Sequence, residues 1–88
     1  MRYKYEIPDD VYKKFGPFDE FKQDASFVTV ELNDERKISG VLILYPNYII
    51  AVENFSEIPF DPNNIVRVYQ TKDDLKRRSS SDWTFWME

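Results

Sequence analysis

Apolar and polar positions alternate through residues 26–32. Val28, Val30 and Leu32 fall on one side, and Phe27, Thr29 and Glu31 on the other, which is the period of a half-buried strand. Asn33-Asp34-Glu35-Arg36 has the composition of a hairpin turn. Residues 37–45 form a long strand interrupted by Gly40, a natural place for a sharp bend. Val41 to Tyr45 is apolar on both faces, so both faces need cover. Pro46-Asn47 turns the chain. Residues 48–53 predict a third strand and 54–57 a loop, and Ile58-Pro59-Phe60 is expected as a very short fourth strand. Asp61-Pro62-Asn63-Asn64 predicts a tight turn, and residues 65–70 the last core strand. Five short strands within about 45 residues, one bent at a glycine, imply a small closed barrel, because a flat sheet would expose its apolar edges.

The flanks carry a different period. Pro8-Asp9-Asp10 places proline and acids where a helix begins. Val11, Tyr12 and Phe15 then form a helical stripe that Gly16-Pro17 stops. Phe18 and Phe21, at i,i+3 spacing, suggest a further turn over residues 18–22. Toward the other end, Thr71 and Asp74 have the spacing of a capping box. They open a short helix with basic residues at its far end. Ser79-Ser80-Ser81-Asp82 reads as a flexible link to the apolar stretch Trp83-Thr84-Phe85-Trp86-Met87.

Composition narrows the function classes. With 88 residues the chain has room for one domain, residues 1–88. It divides into a helical segment (1–24), a barrel (25–70) and a C-terminal extension (71–88). The sequence contains no cysteine and no histidine. Disulfides, Cys or His metal sites and Ser-His-Asp catalysis are therefore excluded. A formal net charge of -4 argues against a broad footprint for duplex DNA. No apolar run is long enough to span a bilayer, and the opening Met-Arg-Tyr-Lys-Tyr-Glu does not read as a signal peptide. A cytoplasmic protein with no membrane partner is expected. Aromatic residues make up 17%, enough to fill a small core and leave some for an interface.

Two stretches together resemble the Sm and Sm-like family of small barrels. The first is Val28-Thr29-Val30-Glu31-Leu32-Asn33-Asp34-Glu35-Arg36-Lys37-Ile38-Ser39-Gly40-Val41-Leu42, with its alternating apolar positions, acidic turn and bend glycine. The second is Asn63-Asn64-Ile65-Val66-Arg67-Val68. Glu35 stands where the family usually has glycine. The resemblance implies a five-stranded, strongly bent SH3-like barrel behind an N-terminal helix, with a short C-terminal helix and an aromatic tail after it in this chain. It also implies a homo-oligomeric ring of about five to seven subunits, in which the short fourth strand pairs with the fifth strand of a neighbour. Ile58, Phe60, Ile65, Val66, Val68 and Tyr69 would then form the interface.

The family's RNA pocket maps onto this chain unevenly. Tyr48 stands at the base-stacking position. Ile50 replaces an asparagine, and Asp61-Pro62 replaces an Arg-Gly pair. Such a pocket would bind single-stranded RNA with altered or relaxed specificity. Tyr48 would stack a base, Asn47, Asn63 and Asn64 would supply hydrogen bonds, and Lys76, Arg77 and Arg78 would contact phosphate. Each residue also has a plainer use: Tyr48 in packing, the asparagines in turns, the basic residues on a solvated helix end. Trp83, Phe85 and Trp86 suit cover of an apolar surface on the same or a neighbouring subunit. Paired acids such as Asp9-Asp10, Asp19-Glu20 and Asp73-Asp74 point apart on a helix and suit solvated or capping roles. Two expectations result: a non-enzymatic, ring-forming RNA-binding module, or a protein-interaction and scaffold ring without a nucleic-acid role. Neither requires a cofactor, a metal or a catalytic residue.

Overall fold

The computed structural model describes residues 4–20, 24–45 and 47–76. It is mainly β. In chain order the elements are strand β1 (Tyr5–Glu6), helix α1 (Asp9–Phe15), strands β2 (Ala25–Leu32), β3 (Lys37–Leu44) and β4 (Tyr48–Val52), a 3-10 turn (Pro62–Asn64), strand β5 (Ile65–Tyr69) and helix α2 (Lys72–Lys76). The strands form one antiparallel sheet in the order β1-β4-β3-β2-β5, curled into a half-barrel.

The bend at Gly40 has a backbone cause. Val28 pairs with Val41 and Val30 with Ile38, so Thr29 alone faces both Ser39 and Gly40. Gly40 takes φ 69°, the left-handed conformation open to glycine without a Cβ clash. A bulge with a left-handed glycine sharpens strand twist and curl. The register also slips on β4, where Ile50 is the extra residue, and on β5, where it is Val66. In each case the core-facing residues fall three apart: Ile38 and Val41, Ile49 and Val52, Ile65 and Val68.

The main core lies inside the curl. Val28, Val30 and Leu32 from β2 meet Val41, Ile43, Ile49, Val52, Ile65 and Val68, with Ile7 and Phe60 closing the ends. Each such side chain contributes about 1.5–3 kcal/mol by leaving water. Helix α1 lays Val11, Tyr12 and Phe15 on this core and packs beside β5. A second buried cluster, Ala25, Phe27, Leu42, Ile50 and Ala51, sits on the opposite face with Leu44 and Tyr48 against it. The expectation that the Val41–Tyr45 stretch is covered on both faces holds for Val41, Leu42 and Ile43, whereas Tyr45 is exposed.

One expected strand is absent. Residues 58–60 form no strand. Phe60 is buried in the chain's own core, and Ile58 packs against that core. A strand that the sequence pattern does not predict, β1, lies beside β4, with Tyr5 opposite Ile49 and Glu6 opposite Tyr48. Proline at position 59 lacks the N–H that a ladder needs, whereas Tyr5–Glu6 offers a complete backbone. The fifth strand therefore comes from the N-terminal side. The turn expected over residues 18–22 is also not helical at residues 18–20, and its remainder lies outside the described residues. The helix over residues 9–15, the tight turn before residue 65 and the helix after Thr71 all form.

Candidate functional site

The described residues among those expected to bind RNA have different settings. Asn47 is buried, and its side-chain Nδ2 donates to the Ile7 carbonyl at 2.8 Å. The Ile7 N–H donates in return to the Asn47 carbonyl at 2.8 Å. Asn47 thus clamps β1 onto the β3–β4 turn. Tyr48 is half-buried against the Ala25–Phe27 cluster, at the end of the sheet where β2 begins. Asn64 lies at the opposite end: its carbonyl accepts from the Asn33 N–H at 2.9 Å, just past the end of β2. Asn63 is exposed, and its N–H is taken by Asp61 Oδ1 at 2.9 Å. Lys76 is exposed at the end of α2, beside β2. Arg77, Arg78 and the aromatic tail from Trp83 to Met87 lie outside the described residues.

The expected interface residues divide as well. Phe60, Ile65 and Val68 are buried in the core of the chain itself. Val66, the bulged residue of β5, is 49% exposed. Arg67 beside it reaches Glu31 at 3.7 Å and stacks over the Tyr69 ring at 5.0 Å. Among the described residues, no strand pairs with the outer edge of β5.

Asp74 is central to the fold. The Thr71 and Asp74 spacing closes as a reciprocal cap: the Thr71 N–H donates to Asp74 Oδ2 at 3.0 Å, and the Asp74 N–H donates to Thr71 Oγ1 at 3.1 Å. Yet Asp74 is buried, not solvated. The Thr29 hydroxyl donates to its Oδ2 at 2.7 Å and lies 3.2 Å from Ser39 Oγ. The Gly40 N–H faces its Oδ1 at 3.4 Å. The carboxylate therefore sits over the β2–β3 bulge and answers a donor there. Sequence spacing revealed the cap; nothing local in the sequence revealed the bulge contact.

Among the described residues, one recess of about 470 Å³ opens between β1 and the 3-10 turn, where Lys4, Tyr5 and Asp9 face Asp61, Pro62 and Asn63. Another, of about 90 Å³, is walled by Tyr12, Phe18 and Tyr45 with Glu20, over a floor of Ser26 and Ile43. The Tyr12 and Phe18 rings stand 6.0 Å apart at 63°. Burial pushes the Tyr12 phenol above its ordinary value, and Tyr45 and Glu20 act in the same direction. Gln70 fixes the loop that carries Phe18 and Glu20. The Asp19 N–H donates to Gln70 Oε1 at 2.9 Å. Gln70 Nε2 donates to the Asp19 carbonyl at 2.9 Å and to the Phe27 carbonyl at 3.1 Å.

Among the described residues, no group of three or more acidic side chains could hold a metal ion, and no helix is long and apolar enough to cross a membrane. Comparison of the chain with family models, with curated proteins and with solved structures gives no match.

Proposed function

We propose that this protein is a non-enzymatic interaction module that assembles with copies of itself by adding strands at the outer edge of β5. The observation that carries this reading is the open sheet: it curls without closing and leaves β5 paired on one side only among the described residues. Such an edge is a template for another strand. The exposed Val66 on β5 gives that contact an apolar centre. Head-to-tail pairing of this kind closes into a ring when the rotation between subunits allows it, as an Sm-like barrel would. The absence of histidine and cysteine from the sequence supports a binding role over a catalytic one.

The test is the mass in solution by light scattering on a sizing column, for the wild-type chain and for Val66→Lys. A defined oligomer is expected for the wild type and a monomer for the variant, because a lysine at a strand edge opposes pairing. A wild-type monomer at about 100 μM, a concentration at which weak contacts of this class populate, would overturn the assembly. RNA binding is the second reading and rests on Tyr48. A short uridine-rich RNA in a parallel run at low salt tests it, with Tyr48→Ala as the control. Co-elution lost in the variant would support RNA binding, and no co-elution with the wild type would remove it.

A further inference from the structure

We propose that the recess walled by Tyr12, Phe18 and Tyr45, with Glu20 at its edge, binds a methylated ammonium group. The site lies within one subunit, so the proposal does not depend on assembly. Its shape comes first. The Tyr12 and Phe18 rings meet at 63°, the corner of a box, and Tyr45, itself 63% exposed, supplies a further wall. The volume of about 90 Å³ is well above the roughly 10–15 Å³ that one water needs on this measure, which leaves room for a compact head group.

The electrostatics select the sign of the guest. Aromatic faces carry negative potential and attract cations, most strongly where water is excluded. Glu20 adds a carboxylate, and among the described residues no lysine or arginine lines the recess. This described lining disfavours an anion. A hard metal ion would need several oxygen ligands that this lining does not offer. An unmodified ammonium is strongly hydrated and loses that hydration on entry. A methylated ammonium spreads its charge over apolar methyl groups, which match ring faces and an isoleucine floor. The net charge of -4 adds a general attraction for cations.

The recess is also held in advance of binding. Gln70 grips both backbone polar groups of Asp19, the residue between Phe18 and Glu20, and ties the same amide to β2. A wall fixed in this way spends little affinity on ordering. Gln70 is thus a positioning residue for the site.

Resonances of the three ring residues, followed by NMR, report binding. The probes are choline, its neutral carbon isostere, and a short peptide carrying trimethyllysine beside the same peptide unmethylated. Choline or the trimethyllysine peptide should shift the Tyr12, Phe18 and Tyr45 signals, with the neutral isostere about tenfold weaker or worse, the size of a desolvated cation–π contact. Tyr45→Ala should weaken binding by a similar factor while the unfolding midpoint stays in place, since the side chain is mostly exposed. Tyr45→Phe should bind within a few-fold of wild type, and Gln70→Ala should bind more weakly than wild type with its rings intact. Tighter binding of the peptide identifies a modified protein tail as the source, and tighter binding of choline a free small molecule; either outcome supports the site. Equal binding of the neutral isostere would overturn it, as would unmoved ring signals at tens of millimolar probe or an unchanged affinity in Tyr45→Ala.

Discussion

Glu35 and Gly40 adopt nearly the same backbone conformation, φ 73° and φ 69°, with opposite suitability. The left-handed region costs an L-residue about 1–2 kcal/mol, and glycine avoids that cost. Gly40→Ala should therefore destabilise the protein, by about 1–2 kcal/mol once the bulge is strained. Glu35→Gly should do the reverse. It relieves the same strain but loosens the unfolded chain by about 0.4–1 kcal/mol, leaving a net gain of up to about 1.6 kcal/mol. Urea unfolding of both variants reads the two signs together. A midpoint for Glu35→Gly below wild type would show that the Asp34–Arg36 contacts of the turn, 2.8 Å and 3.2 Å, depend on the glutamate and outweigh the strain.

At the scale of elements, α2 has five residues, too few to be stable alone. Its docking runs through Asp74, which caps its start and reaches into the β2–β3 bulge. Asp74→Asn puts an amide donor where Thr29, Thr71 or Gly40 already presents one. Leaving such a buried donor unanswered costs about 1–3 kcal/mol. Asp73→Asn, one residue away and exposed, should stay within about 0.5 kcal/mol of wild type. Thermal unfolding of the pair separates a burial effect from a general loss of helix acidity, and equal midpoints would mean that Asp74 does not hold α2 to the bulge. The same pair shows how far the sequence could be read. The cap was legible because its two members sit three residues apart. The bulge contact was not, because Thr29 and Asp74 are joined only by the fold. The strands were legible from alternation, but their core residues also recur at spacings of three, which alone resembles a helix face. The ring box was illegible for the same reason as the bulge contact. Tyr12, Phe18 and Tyr45 belong to a helix stripe, a loop and a strand end, and Gln70 meets Asp19 across 51 positions.

At the scale of the whole molecule, the described residues form a curled sheet with two edges, and β1 decides what one of them exposes. Two residues long, β1 covers the outer edge of β4. Its hold comes from beyond the strand. Ile7 is fully buried, and the Asn47 amide grips its carbonyl 40 positions away. Asn47→Ala leaves that carbonyl unanswered in a buried place, at about 1–3 kcal/mol. The loss should be local first. Amides in the β1–β4 pairing should exchange with solvent faster than in wild type, while those of the β2–β3 pairing keep a protection set by global unfolding. Release of β1 would also bare the edge of β4 and give the chain a second template for strand addition. Light scattering of Asn47→Ala should therefore show species larger than wild type that grow with concentration. Uniformly faster exchange across the sheet, with no change in mass, would mean that Asn47 stabilises the barrel as one unit and that β1 guards no edge.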